Sequence, residues 1–234
     1  MKKSTSEPGL SETLSNLILY KTNAFWICIK PAGMPVQADK TGDKSLLDLM
    51  EIYGHRTFFP VHRLDRPVSG LVILARTKSA AASLSRAFQE QEIEKIYLAV
   101  TAEKPNPPEG RLEHHIRSME QQNKAILTDG THPADRTAVL NYRCLASSDR
   151  YHLLEIKTEG GRFHQIRAQL AAIGCPIKGD VKYGARRGNK DRSIHLHAWK
   201  LSFKHPVSGE MLSFTAPLPA DDPVWTALGA ELEK

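Results

Sequence analysis

Apolar residues in this chain come in short runs separated by polar and turn-forming residues, with no long periodic stretches. Leu17-Ile18-Leu19-Tyr20 and Phe25-Trp26-Ile27-Cys28-Ile29 each have the length of a buried strand, and Asn23 supplies a turn between them. Lys30-Pro31-Ala32-Gly33-Met34-Pro35 then interrupts regular structure, because its prolines cannot donate to a ladder and its glycine favours a turn. Ser45 to Met50 predicts a short helix stopped at Gly54. After a strand at Leu71 to Ala75, Thr77 is placed to cap a helix over about Lys78 to Gln91, with Ala81, Leu84 and Phe88 on one face. Further strands are predicted at Ile96 to Val100, Tyr151 to Lys157, Ile194 to Ala198, Lys200 to Phe203 and Met211 to Phe214, and Pro206 to Gly209 forms the last turn. His164 to Ile173 predicts a helix ended by Gly174, where glycine takes a left-handed cap. Glu103 to Gly110 and Asp129 to Arg136 predict loops. Strands outnumber the scattered helices, which is an α+β pattern and not a βαβ alternation. Residues 1–14 are expected to be a mobile tail, 15–222 one folded unit, and 223–234 a C-terminal tail or short helix.

The 234 residues, 41% hydrophobic and 25% charged, are enough to bury a core. An excess of 32 Lys and Arg over 26 Asp and Glu gives a net charge of +6, which suits a polyanionic partner without naming one. Cys28, Cys144 and Cys175 are odd in number and widely spaced, so they suggest neither a disulfide framework nor a cysteine zinc site. The N-terminus lacks the apolar core of a signal peptide, and no run approaches the ~20 apolar residues needed to span a bilayer. The expectation is a cytoplasmic monomer with no membrane partner.

The strongest chemical signal is His62-Arg63-Leu64-Asp65-Arg66-Pro67-Val68-Ser69-Gly70, at the mouth of the apolar run from Leu71. An aspartate between two arginines should stay ionised, because neighbouring positive charge lowers its pKa, and an ionised carboxylate suits a nucleophile. One charged triplet also fits an ordinary surface ion pair. A second segment, Gly160-Gly161-Arg162-Phe163-His164-Gln165-Ile166-Arg167, adds matching chemistry. Helical spacing puts Gln165 and Gln169 on a different face from Ile166, Leu170 and Ile173, and Arg167 on the shoulder between core and cleft. From there its guanidinium can grip a carboxylate brought in from elsewhere, or simply lie over the core. Tyr97 shares a strand face with Lys95 and offers a ring for stacking on a flat base. His195 and His197 share a strand face but lack a third ligand, so no metal site is predicted. Nucleotide-binding glycine loops and a Gly-x-Ser-x-Gly elbow are both missing.

In order, Lys30-Pro31-Ala32-Gly33, His62-Arg63-Leu64-Asp65 with Ser69-Gly70, Lys95-x-Tyr97, and Gly161 to Arg167 followed by Gly174, Pro176, Gly179-Asp180 and Tyr183-Gly184 resemble the RluA family of RNA pseudouridine synthases. Leu196-His197-Ala198, His205-Pro206 and Gly209-Glu210 match its C-terminal pattern, so the likeness spans roughly residues 17 to 220. The resemblance implies a central mixed, largely antiparallel sheet in two halves, with a catalytic cleft and peripheral helices. It also implies isomerisation of uridine to pseudouridine in transfer or ribosomal RNA, without cofactor or metal. Asp65 would attack carbon 6 of uracil or the ribose anomeric carbon, Tyr97 would stack on the base and help remove its proton, and Arg167 would pair with Asp65. Arg63, His62, Lys30, Arg162, His164 and Gln165 would contact the RNA, Arg63 by filling the space left by the flipped nucleotide.

Two departures stand out. Val68 replaces the usual Thr, which removes a hydroxyl, and the catalytic pattern begins too early for the N-terminal alpha-L module of many relatives. Two other readings compete: a glycoside or nucleoside hydrolase using Asp65 and Asp180, although Gly179-Asp180 reads more simply as a turn, and an RNA-binding protein without catalysis.

Overall fold

A computed structural model describes residues 10–232. In chain order its elements are helix α1 (Leu10–Ser15), strands β1 (Ile18–Lys21) and β2 (Phe25–Lys30), helix α2 (Leu46–Gly54), strands β3 (Phe59–Pro60) and β4 (Ser69–Ala75), and helix α3 (Lys78–Gln89). Strands β5 (Glu94–Thr101), β6 (Glu109–Met119), β7 (Lys124–Thr128), β8 (Arg136–Ser147) and β9 (His152–Glu159) follow, then helix α4 (Gln165–Ala172), strands β10 (Leu196–Lys204) and β11 (Met211–Thr215), and helix α5 (Pro223–Gly229). Capping chemistry fixes two of the helix starts. Ser45 and Asp48 form a reciprocal capping box on α2, and the Thr77 hydroxyl accepts the Ala80 amide of α3.

All eleven strands join one sheet in the order β1-β2-β4-β10-β5-β9-β8-β6-β7, with β11 added to β10 and β3 to β4. The pairing is antiparallel except between β4 and β10, where Ser69 lies opposite His197 and Gly70 opposite Ala198. This parallel seam joins the two halves of the sheet. It requires glycine at position 70, because φ is +116° there and a Cβ would lie 2.3 Å from the Ala198 carbonyl oxygen. Every residue of β4 is buried, with Leu71, Ile73 and Ala75 packing against α3, and Val72 and Leu74 meeting Trp26 and Phe58 in the core on the other face.

Two outcomes differ from the sequence-based reading, in the N-terminal tail and in strands β6 and β8, while the C-terminal helix is one of the two forms expected for residues 223–234. Of the tail expected over 1–14, residues 1–9 lie outside the described structure, but Leu10–Ser15 is helical and Leu14 is buried. Helix α5 inserts Trp225 and Leu228 beside Leu98, Val100 and Leu153, closing the core on that side. Long strands β6 and β8, which the apolar runs did not reveal, pair along eight residues. No helix among the described residues is long and apolar enough to cross a membrane.

Candidate active site

The loop His62 to Val68 enters the parallel seam and is held from three directions. The Arg66 carbonyl accepts the Gly33 amide at 2.8 Å and the Lys30 ammonium at 3.2 Å, and the Pro67 carbonyl accepts the Ile194 amide at 3.1 Å. A tight turn closes at 3.0 Å from the Val68 amide to the Asp65 carbonyl. This backbone fixes where the Asp65 carboxylate emerges, and Val68, itself buried, forms apolar wall beside it.

Helix α4 brings the partner. Its N-terminal residue, His164, takes a left-handed conformation at φ 52°, and Gln165 to Leu170 are all buried. The Gln165 amide donates to the Val139 carbonyl and the Gln169 amide to those of Leu112 and Ala138, which presses the helix onto β6 and β8. Arg167 then reaches Asp65 with Nη1, 3.1 Å from Oδ2. Its other edge is already taken: Nε and Nη2 donate to Asp180 at 2.6 and 2.8 Å in a buried bidentate pair. One guanidinium thus serves two carboxylates. Burial weakens its charge, but Asp180 and Asp65 overcome this and hold its pKa above the ordinary arginine value.

His164 completes the cluster. Its Nε2 lies 2.7 Å from Arg167 Nη1 and 3.3 Å from Asp65 Oδ2, and its Nδ1 lies 2.9 Å from the Tyr183 hydroxyl. Burial, reinforced by Arg167, pushes the imidazole down to about 3, so it is neutral at physiological pH. A neutral ring accepting from Arg167 must carry its proton on Nδ1 and donate to Tyr183, whose hydroxyl is tied to Ala125. Asp65 does not follow the sequence-based expectation of a lowered pKa. Burial raises it, against the opposing pull of Arg167, Arg63 and Lys30.

The other predicted residues divide. Tyr97, paired between β10 and β9 opposite Ala198 and Ile156, faces a cavity of about 180 Å³ with Val68, Ile166 and Leu196, and Asp65 is at its edge. Burial, with a smaller effect from Asp65, pushes its phenol up to about 12, so it stays protonated near neutral pH. Arg63 and Arg162 are exposed at this cavity. Arg66 turns away from Asp65 to meet Asp39, Thr41 and Asp43, which corrects the picture of a carboxylate between two arginines. Lys30 is not available to RNA, and His62 is half-buried with one ring nitrogen engaged by backbone. His62 accepts the Ile73 amide at 2.9 Å, stacks on Phe88 and is pushed by burial down to about 3. Lys30 is fully buried on the carbonyls of Pro31, Met34 and Arg66, and burial pushes it down to about 7. Gln165 is likewise committed to protein atoms, its carbonyl accepting the Arg162 amide. Gly179-Asp180 does lie in a turn before Tyr183, as the sequence suggests, but the pairing of the Asp180 carboxylate with Arg167 was not foreseen. His195 and His197 bond to Asp222 and Ser69, in separate structural roles.

Comparison with known proteins gives concordant results. A family model described as RNA pseudouridylate synthase matches residues 24–172. An uncharacterized RNA pseudouridine synthase of Chloroflexus aurantiacus is 42% identical over 69% of this chain, which spans 50% of that relative's length. Two relatives at 31% identity are a ribosomal large subunit pseudouridine synthase D of Zymomonas mobilis, covering 87% of this chain and 69% of its own, and a tRNA pseudouridine synthase C of Pectobacterium carotovorum, covering 85% and 58%. Among solved structures, human RNA pseudouridylate synthase domain containing 4 superposes with a TM-score of 0.78 at 25% identity, over 96% of this chain and 95% of its own.

Proposed function

The chain belongs to the RNA pseudouridine synthases of the RluA type, which isomerise uridine to pseudouridine within RNA, and we propose that it performs this reaction itself through Asp65, on transfer or ribosomal RNA. The observation that carries the reading is the Asp65 carboxylate, held 3.1 Å from Arg167 at the edge of a ring-sized cavity faced by Tyr97. Two relatives equally similar to this chain are named for different RNAs, so both classes stand as targets.

In the proposed reaction an ionised Asp65 oxygen bonds to uracil carbon 6 or to the ribose anomeric carbon, and the bond between nitrogen 1 and the ribose breaks. The base rotates in the cavity, carbon 5 bonds to the ribose, the aspartyl bond is released, and the proton on carbon 5 is lost to solvent while nitrogen 1 takes one up. Atoms balance without a co-reactant, so no cofactor is called for. Arg167 orients the carboxylate and favours its charged form. Tyr97, a neutral phenol, stacks on the base and keeps it in plane while it turns. Arg63, exposed at the mouth, enters the space the target leaves in the RNA. The same reading makes residues 15–222 the catalytic unit of a monomeric cytoplasmic enzyme.

The hydrolase alternative needs a second carboxylate free for acid or base work. Asp180 is bound by both its oxygens to Arg167 and buried, which leaves it no such freedom. Release of the carbon 5 hydrogen from labelled uridine in bulk RNA tests the proposal. Wild type should release it and Asp65→Asn should not, with an unchanged thermal transition. Free uracil as product would establish hydrolysis, and binding with neither product would establish a binding protein.

A further inference from the structure

Asp65 borders a second cavity, on the side away from Tyr97, that has no role in the reaction as described. It measures about 460 Å³, within the size range of ligand pockets, and shares Arg63, Leu64, Phe163, His164 and Arg167 with the first. Whatever occupies both cavities must therefore be continuous past Asp65. Both linings mix polar and apolar groups, and the second presents Gln37, Asn123 and Lys182, which the first lacks.

The amides of Gln37 and Asn123 are exposed and form no hydrogen bond within the described structure. The buried amides of Gln165 and Gln169 are tied to protein carbonyls, so Gln37 and Asn123 are the carboxamides at this cavity free to meet a ligand. The free amides also sit on fixed backbone. The carbonyls of Pro35 and Val36 accept the first amides of α2 at 2.9 and 3.0 Å, and Asn123 holds a left-handed turn at φ 46° with its carbonyl accepting Lys182 at 2.8 Å. A carboxamide offers a donor and an acceptor side by side, which complements the edge of a nucleobase, adenine above all. Between the cavities the Phe163 ring lies flat against His164, with centroids 3.9 Å apart at 17°, so it is held ready as a stacking platform. Lys182 is engaged only by a carbonyl, so it can meet phosphate.

Building on the pseudouridine synthase reading, we propose that this second cavity is the subsite for the nucleotide adjacent to the target uridine. Gln37 and Asn123 read its base edge, Phe163 stacks on it, and Lys182 holds the connecting phosphate. The enzyme therefore selects its uridine partly by the identity of one neighbour.

The test starts from the uridine that the wild-type chain modifies in bulk unmodified RNA. That RNA is resynthesised with each of the four bases at either flank, and initial rates of pseudouridine formation are compared within each enzyme. Wild type should discriminate about tenfold among bases at one flank, and Gln37→Ala/Asn123→Ala should flatten that ratio to about one. Because the ratio is internal to each enzyme, a general loss of rate does not imitate the effect. Equal rates with every flanking base, or an undiminished ratio in the double variant, overturn the subsite while leaving the activity intact. If the wild type makes no pseudouridine in any RNA, the activity reading falls and the subsite falls with it.

Discussion

Replacing Asp180 by Asn removes a charge without removing a shape, and the structure determines what should follow. Arg167 is shared, with Nε and Nη2 on Asp180 and Nη1 on Asp65. With Asp180 neutral, the whole guanidinium charge acts on Asp65 and a like charge disappears from its surroundings. For two carboxylates on different edges of one guanidinium, at an effective dielectric of about 20, the repulsion removed is on the order of 2 kcal/mol, or roughly 1.5 pKa units. Burial raises the Asp65 pKa in the native protein, so the acid limb of its rate profile should lie above the ordinary aspartate range. In Asp180→Asn that limb should move down by about one unit or more. The plateau should also fall about tenfold or more, because an arginine held at one edge no longer fixes the carboxylate. Single-turnover pseudouridine formation between pH 4.5 and 8 measures both effects. An unmoved acid limb with a wild-type plateau would refute the coupling, and an upward shift would show that Asp180 acts on Asp65 in the opposite sense. Folding should survive, since Asp65 still faces the buried cation and the asparagine oxygen still accepts from it.

Three further outcomes are expected. His62 and His164, held near 3, and His197, near 4, are neutral in the fold because of burial, whereas the unfolded chain protonates them below about 6.5. Stability should therefore fall as pH drops from about 6.5 toward 4, by at most about 4 kcal/mol per unit for three protons; Asp65, with its raised pKa, works in the opposite sense but is one group against three. Urea midpoints across that range check it, and a flat profile would contradict it. Gly70→Ala places a Cβ 2.3 Å from the Ala198 oxygen at φ +116° and should cost about 3 kcal/mol, lowering the melting temperature by about 6–12 °C; a drop under 2 °C would show that the seam can open freely. Arg186, Arg187, Lys190 and Arg192 form an exposed cationic run next to Lys182. Replacing Arg186 and Arg187 by Ala should weaken RNA binding and reduce the slope of log affinity against log salt by about 0.7–0.9 for each phosphate no longer neutralised, and an unchanged slope would place the RNA elsewhere.

Much of the fold could be read from apolar runs where a strand is buried on both faces. Strand β4 is the clearest case, because all seven of its residues are buried and its core is four consecutive large apolar residues. Strands β6 and β8 were not legible, since one face of β6 is open and its apolar residues alternate with Arg111, Glu113 and His115. In the site, the pairing of Asp65 with Arg167 was legible because two motifs carried complementary charges. The sign of the Asp65 pKa shift was not, because sequence shows neighbouring charges but not desolvation, and Arg66 spends its charge on Asp39 and Asp43. Motif membership also could not separate residues that face RNA from those that hold the site together. Lys30, His62 and Gln165 match motif positions, yet each is bonded to protein backbone.

These inward-facing motif residues explain how a buried carboxylate can be kept both reactive and in place. Desolvation favours the neutral acid, so a nucleophilic Asp65 needs positive charge nearby, but a guanidinium given to it alone would hold the carboxylate too strongly and lower its basicity. Sharing Arg167 with Asp180 moderates that hold, and His164, neutral and anchored by Tyr183, occupies the remaining side of the guanidinium without adding charge. The ion pair orients the carboxylate, while backbone fixes where it emerges. The Arg66 carbonyl receives Lys30 and Gly33, and the Pro67 carbonyl receives Ile194 at the parallel seam. The seam that joins the two halves of the sheet is therefore also the support on which the nucleophile sits, so changes at Gly70 or Ala198 act on Asp65 through the register of β4 against β10.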